Sequence, residues 1–484
     1  MALRRSLTGM ASLALVGGLV GKALRYTLNV VIANGLGAAA LGAFALGMVL
    51  LRAGSVLARL GLDNAAQKYI PVYTAQDDDR ALNGTALLCL SAPFFMGITI
   101  AGGVFVFDDT IRELAGVTLQ PVTKQFALGI PFFATMMVGI ALTKGLKESK
   151  YQVYIRDIGQ SVVAIVTVSI GAFVLNDLTA AIDGYILSCA IGAVLAVFFL
   201  YRRDLLSVAV RPRVDFKRVF AFSLPLTIAA VIQYLLTWTD ILMLSFFRAP
   251  TEVGWYQAAY QTSVLLLVVL QAVNSIFPSV ASDLYERGEL GQLRRTFAAV
   301  TKWTTYVTSL GCVFVVVYTD EILGLFDISA PEARLALIVL CLGQAVAAST
   351  GPAGFMLIMS GHERLQLYNT VAVSVLNVVL NVVLITRFGI VGAGLATAIS
   401  FVMLNVSRIT LLKYLLDVQP YSFDYWKGGV AVACATPVLL VGARLPVPGI
   451  ARVLLGGAVA LAIFAVVAWA LGIEESDRAL LEQL

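Results

Sequence analysis

The sequence predicts an all-α, polytopic membrane protein of about 14 transmembrane helices, built as two pseudo-symmetric six-helix lobes followed by two C-terminal helices. Three observations predict it. Of the 484 residues, 59% are hydrophobic and 13% charged, with a mean hydropathy of +0.88; a soluble domain is roughly half apolar and a quarter charged. Apolar runs of about 20 residues, enough for one helix to cross a bilayer, recur along the whole chain. The order of motifs also repeats once, at a period of about 210–216 residues, which fits a domain duplication rather than a solenoid.

Taken in order, the apolar runs place spans at approximately 9–33, 40–61, 84–106, 122–143, 154–175, 181–201, 219–246, 252–277, 297–318, 334–359, 366–386, 391–415, 427–443 and 450–472. The N-terminal Arg4-Arg5 pair precedes an apolar run that continues past Lys22, so an uncleaved first helix is expected rather than a secretory leader. With the N-terminus inside, about 23 basic residues fall on cytoplasmic loops or helix ends and about 7 outside. The clusters Lys144/Lys147/Lys150/Arg156, Arg202/Arg203/Arg211/Arg213/Lys217/Arg218 and Arg287/Arg294/Arg295 share one side. An even number of spans puts both termini in the cytoplasm, for a multi-pass protein of the cell membrane. The net charge of +5 then reflects orientation and not nucleic-acid binding.

The repeat pairs Leu41-Gly42-Ala43-Phe44 with Val253-Gly254-Trp255-Tyr256, each followed by a long span, a proline (Pro71, Pro278) and a charged turn. Later, Lys144-Gly145-Leu146-Lys147-Glu148 corresponds to Ser360-Gly361-His362-Glu363-Arg364. Six spans per repeat give both halves the same orientation, a plan common among transporters. The expected organisation is an N-lobe at 1–201, a cytoplasmic linker at 202–218, a C-lobe at 219–416, and two further helices with a tail at 417–484.

Lys22 and Arg25 lie inside the first span and Arg52 near the middle of the second. A charge at the centre of a transmembrane helix costs roughly 2.5–3.5 kcal/mol on insertion scales. Neither helix interior holds an acid to offset it. Lys22, Arg25 and Asn29 share one helical face, as do Arg52, Ser55 and Arg59. Arg52 is about 17 Å from the outer helix end, close to mid-depth. Arg59 is near enough to the cytoplasmic end to snorkel. Two readings stay open: contact with an anionic substrate, or carbonyl capping and pairing with an acid such as Asp240 on the seventh span. The first is favoured because intramembrane charges are functional by default.

Span 7 adds Gln233, Thr237 and Asp240 on one face, with Tyr234 and Trp238 beside them. On span 8, Trp255 and Tyr256 read as interfacial aromatics, and Gln257 and Gln261, a turn deeper, as cavity residues. Asn377 and Asn381 read as interhelical hydrogen-bonding groups. The substrate-binding candidates are therefore Lys22, Arg25, Asn29, Arg52, Gln233, Asp240, Gln257 and Gln261.

Enzymatic signals are weak. Asp77-Asp78-Asp79 has the D-x-D spacing of some glycosyltransferases, but a three-aspartate polar turn is more often a solvated loop. The chain has no Walker loop, G-x-S-x-G or HExxH. Its five cysteines (Cys89, Cys189, Cys312, Cys341, Cys434) lie in apolar runs without a CxxC pair, so neither disulfide nor metal is expected. The lone His362 sits in a polar turn. No catalytic residue, metal or cofactor is predicted.

Several stretches resemble a known group. They are Thr239-Asp240-Ile241-Leu242-Met243-Leu244, Glu252-Val253-Gly254-Trp255-Tyr256-Gln257-Ala258-Ala259-Tyr260, Phe277-Pro278-Ser279 with Gly288-Glu289-Leu290, Leu376-Asn377-Val378-Val379-Leu380-Asn381, and Phe388-Gly389-Ile390-Val391-Gly392-Ala393-Gly394-Leu395-Ala396-Thr397. In order and spacing these resemble the polysaccharide-transporter branch (Wzx-type oligosaccharide flippases) of the multidrug/oligosaccharidyl-lipid/polysaccharide exporter superfamily. The resemblance implies two six-helix lobes in a V around a central cavity, alternating access, and a polyprenyl- or dolichyl-(pyro)phosphate-linked oligosaccharide as substrate. Related lipid-II flippases carry basic residues on their first two helices that are thought to hold the pyrophosphate, and Lys22, Arg25 and Arg52 occupy comparable places. Helices 13 and 14 would border a groove for the lipid tail. The expected partners are this lipid-linked oligosaccharide and membrane lipids, with no nucleic acid, an undefined coupling ion and a monomeric chain. The alternatives are a multidrug or cation antiporter of the same superfamily, and a polytopic glycosyltransferase or ligase acting on the same lipid.

Overall fold

The computed structural model describes residues 2–107, 124–206, 210–421 and 425–471, and every regular element among them is a helix. Asp108 and Asp109, the start of the expected fourth span, part of the linker and the C-terminal tail lie outside the described residues. By length and composition, eleven described helices could cross a membrane, or twelve if one bent pair counts as a single span. The sequence reading of fourteen differs because it cuts two long helices. Ala2–Ala58 is broken at Gly37 (φ 85°, ψ 171°) and Glu363–Leu416 at Gly389 (φ 60°, ψ −136°). Both conformations are open to glycine and strained for other residues. Each break leaves two arms of about 20 residues or more, enough to cross a bilayer.

The chain forms two compact units, Met1–Gly254 and Trp255–Leu484. In the first, α1 (Ala2–Ala58), α2 (Leu62–Ala75), α3 (Asp79–Val106), α4 (Ile130–Gly145), α5 (Lys150–Val174) and α6 (Leu178–Arg202) are followed by α7 (Phe216–Thr237) and α8 (Thr239–Phe247). Aspartates start three of these helices. The carboxylates of Asp78, Asp177 and Asp215 accept from the first-turn N–H groups of α3, α6 and α7, satisfying donors that have no intrahelical partner. This gives the Asp77–Asp79 run a structural role, since Asp78 both caps α3 and pairs with Arg213 at 2.6 Å. Leu62, Ala66 and Ile70 of α2 meet Leu142, Leu200 and Val219 in the core.

The linker is clipped to the first unit. Arg213 N–H donates to the Arg80 carbonyl at 2.9 Å, and the Asn83 amide donates to the Val210 carbonyl at 2.9 Å. Tyr234 of α7 donates to the Val49 carbonyl at 3.3 Å, so α7 packs on α1 and the packing boundary falls later than the end of the six-span repeat. The repeat leaves a reciprocal contact here. A Cβ on Gly42 would meet the Pro250 carbonyl oxygen, and one on Gly254 would meet that of Ala38. The two glycines are repeat equivalents, and each lets the backbones close by lacking a side chain.

The chain passes to the second unit within α9 (Pro250–Leu265), which is bent by 51° from α10 (Val268–Glu286). Then follow α11 (Leu290–Val317), α12 (Thr319–Gly324), α13 (Pro331–Ser349), α14 (Ala353–Met359), α15 (Glu363–Leu416), α16 (Tyr425–Gly442) and α17 (Gly449–Ala470). Phe277, Phe297, Met356 and Leu412 form part of its core. The last two helices are tied to α11 and α12: Tyr318 donates to the Leu439 carbonyl at 3.2 Å, and Arg452 pairs with Glu321 at 2.9 Å. Leu454, Leu461, Val466 and Trp469 stay exposed on α17, as a lipid-facing helix requires. Asn377 and Asn381 join the two arms of α15: Asn377 donates to Ser400 at 3.1 Å, and Asn381 donates to the Asn377 side chain at 3.1 Å. That is the bonding role expected of them.

Candidate functional site

The intramembrane cations of the first unit converge on α5. Arg25 of α1 lies 3.3 Å from the Asp157 carboxylate, whose side chain is 5% exposed. Asp157 stands in a π-helical stretch, Val153–Gln160, the wide-turn geometry that often marks functional sites. Its other oxygen accepts from Gln152 at 3.3 Å. Small residues let α1 reach it. A Cβ on Gly21 would come within 2.8 Å of Asp157 Cβ and 3.0 Å of its carbonyl oxygen. Further along the same interface, Gly35 meets Ala172.

The acid that Arg25 meets is therefore Asp157 and not Asp240. The sequence reading missed it by starting the fifth span at residue 154 and leaving Arg156 and its neighbour at a cytoplasmic helix end. The helix starts at Lys150, so Asp157 is two turns inside. The readable signal was the alternation of Val153, Ile155 and Ile158 with the two charges, which carries the apolar run through them.

The same carboxylate acts electrostatically on Lys22 and on Arg156, and Arg156 also feels Arg25 and Arg52. Lys144, at the end of α4, feels Arg156, Asp157 and Asp63. Asp63 is itself bonded to Arg59 at 2.7 Å, so Arg59 is held by an ion pair one helical turn away rather than by headgroups. Among the described residues, Lys22, Arg25, Lys144 and Arg156 thus feel the Asp157 carboxylate, and Arg52 joins the group through Arg156, with positive charge in excess. Like charges brought together in a low-dielectric setting are costly unless an anion joins them.

Arg52 has a different setting from Arg25. Its guanidinium lies 5.9 Å from the ring centroid of Trp238, within cation–π range. It acts on buried Tyr185 and Cys189 of α6. Its Nε is buried with no hydrogen-bond partner, as is the hydroxyl of Ser55 one turn on. A buried guanidinium nitrogen without an acceptor is destabilising. Asn29 donates back to the Arg25 carbonyl at 2.7 Å, so its amide is partly committed to its own helix.

Of the other candidates, Gln233 is exposed on α7 and bonded to Thr237, whose hydroxyl returns to the Gln233 carbonyl at 2.7 Å. Asp240 is half-buried in the first turn of α8, just past the break at Trp238, where a helix N-terminus favours a carboxylate. Gln257 and Gln261 belong to the second unit, the first buried and the second half-buried. Tyr256 beside them is fully buried and stacked on Tyr260 at 6.2 Å, which removes it from the interfacial belt expected from sequence. Within the first unit the structure joins Lys22, Arg25 and Arg52 into one electrostatic group and adds Lys144, Arg156 and Asp157 to it.

Comparison with known proteins agrees with this architecture. A probable low-salt glycan biosynthesis flippase of Haloferax volcanii, Agl15, is 25% identical over 417 residues, 85% of this chain and 84% of the relative. A probable flippase of the same organism, AglR, is 27% identical over 190 residues, 38% of this chain and 39% of the relative. Among solved structures, the lipid II flippase MurJ in an inward closed conformation aligns with a TM-score of 0.69 at 15% identity, covering 94% of this chain and 98% of that one. An inward-facing multidrug resistance transporter of the MATE family aligns with a TM-score of 0.67 at 15% identity, covering 87% and 98%. These two likenesses are of fold. The MatE family model matches residues 225–383, and that of the polysaccharide biosynthesis proteins matches residues 6–282, more than half of the chain. With its helical membrane fold and superfamily-like motifs, the chain belongs to the polysaccharide biosynthesis protein family.

Proposed function

We propose that this protein is a flippase that moves a polyprenyl- or dolichyl-(pyro)phosphate-linked oligosaccharide from the cytoplasmic to the outer leaflet by alternating access, for glycan biosynthesis at the cell surface. The observation that carries the proposal is the excess of cations around Asp157 inside the first unit. A phosphate or diphosphate group is the ligand with matching charge and acceptor number. Lys22, Arg25 and Arg52 hold it, with Arg156 and Lys144 behind them. Asp157 keeps Arg25 engaged while the site is empty, and the arriving phosphate takes over that guanidinium. The exchange replaces one charge-assisted contact with another, so binding need not expose an unpaired carboxylate, because Gln152 still donates to it. Within the first unit Gln233 and Asp240 meet glycan hydroxyls, and the prenyl tail stays in lipid. Release follows when the site opens to water on the outer side, where hydration competes for the phosphate. The protein works as a monomer in the plasma membrane with both termini in the cytoplasm and does no covalent chemistry.

The test is Arg52→Ala in proteoliposomes carrying a prenyl-diphosphate-linked glycan. Removing a charge-assisted contact slows translocation about ten- to hundredfold, with circular dichroism unchanged and the melting temperature not lowered. Wild-type flipping rates in this variant overturn the proposal.

A further inference from the structure

A cavity of about 410 Å³ on α17 is lined by apolar side chains alone and holds nothing that would select a ligand. A second cavity, of about 310 Å³ in the second unit, is different. Its wall includes Asn274, Gly354, Phe355, Gln366, Asn405 and Arg408, from α10, α14 and both arms of α15.

Arg408 is the charged group of this wall. Its Nε donates to Gln366 at 3.1 Å and one terminal nitrogen donates to Asn405 at 3.4 Å. Both neutral partners are themselves buried, and Asn405 is fixed by the Thr350 hydroxyl at 2.9 Å. The guanidinium is thus oriented by amides, with no carboxylate of the described residues acting on it. An arginine presents five N–H donors, and these contacts use two. Asn274 brings a buried side-chain oxygen with no hydrogen-bond partner to the same cavity. Gly354 leaves the space open: a Cβ there would lie 3.1 Å from the guanidinium carbon of Arg408 and 3.2 Å from the Gln366 amide nitrogen. An intramembrane arginine without a carboxylate, held by neutral side chains beside an unpartnered amide oxygen, has the construction of a receptor for a protonated anion.

We infer that the second unit carries its own anion site, centred on Arg408, which takes a phosphomonoester group. The forked guanidinium binds two phosphate oxygens, and a protonated phosphate oxygen donates to Asn274. Phe355 contributes an apolar wall, which suits a phosphate attached to an acyl or prenyl chain as well as free phosphate. The site lies wholly within the second unit and does not depend on the cations around Asp157.

Arginine labelling with phenylglyoxal, followed peptide by peptide in the wild-type protein, separates the two sites. Inorganic phosphate, or vesicles of phosphatidic acid in place of phosphatidylcholine, slows labelling of Arg408 about tenfold, the effect of one occupied charge-assisted contact. Arg52→Gln leaves that protection intact, so Arg408 stays protected even if the proposed translocation site fails. Gly354→Val keeps every charge, fills the cradle and abolishes the protection. Protection by phosphatidic acid alone identifies a lipid headgroup as the ligand, and protection by both identifies free phosphate chemistry. Equal labelling of Arg408 with and without both ligands overturns the inference, as does protection that survives Gly354→Val.

Discussion

The Asp157 cluster and the Asn377–Asn381–Ser400 seam are both polar groups inside the membrane-spanning core, yet they are built on opposite principles. In the seam the groups are neutral and bond mainly to one another: Asn381 bonds to Asn377, Asn377 to Ser400, and Ser400 to the Ala396 carbonyl at 2.7 Å. Such a group ties two helix arms together through neutral hydrogen bonds, with no net charge to balance. Around Asp157 the charges do not cancel, since Lys22, Arg25 and Arg156 all act with or against the one carboxylate. Intramembrane polarity with no net charge serves packing. Polarity left with an excess of one sign marks a place for a ligand of the other.

The change that tests this contrast hardest is Asp157→Asn. Removing one partner of a buried ion pair costs about 3–5 kcal/mol. Arg25 is partly exposed, which lowers the expectation to about 2 kcal/mol. Phosphate at millimolar concentration recovers most of this loss, raising the melting temperature of the variant more than that of the wild type. An equal phosphate shift in both proteins would show that Asp157 is not the charge an anion replaces.

Gly21→Ala follows in size. It puts a methyl group against Asp157 and costs about 1–2 kcal/mol through overpacking. Phosphate does not recover this loss, because the charge balance is unchanged. Recovery equal to that of Asp157→Asn would mean that the helices reseat freely and that the close approach of α1 to α5 does not position the carboxylate.

The contrast also explains what the sequence made legible. Lys22, Arg25 and Arg52 stand out because a charge in an apolar run is visible against its neighbours. The repeat at Gly42 and Gly254 could be read for the same reason, since glycine followed by an aromatic or alanine is a local pattern. Asp157 was hidden because its place depends on where α5 begins and on a π-helical register, neither of which composition carries. The roles of Lys144 and Arg156 were hidden by their position: near a helix end they satisfy the positive-inside pattern equally well as orientation signals. In the sequence the two broken helices read as separate apolar runs. Their continuity across Gly37 and Gly389 is a backbone property that composition does not carry.

The smallest effect belongs to the seam. Asn377→Ala removes the bond to Ser400 and the side-chain acceptor of Asn381, while Asn381 keeps its bond to the Asn377 carbonyl at 3.0 Å. Interhelical hydrogen bonds in membranes average about 0.6 kcal/mol, so melting in detergent shifts slightly and glycan-lipid translocation stays within about twofold of wild type. Because the residues left behind are neutral, neither phosphate nor salt changes that shift. If Asn377→Ala stopped transport as Arg52→Ala does, or if an added ion altered its melting, the absence of net charge would no longer separate packing from binding. The seam would then have to be read as a ligand site in its own right.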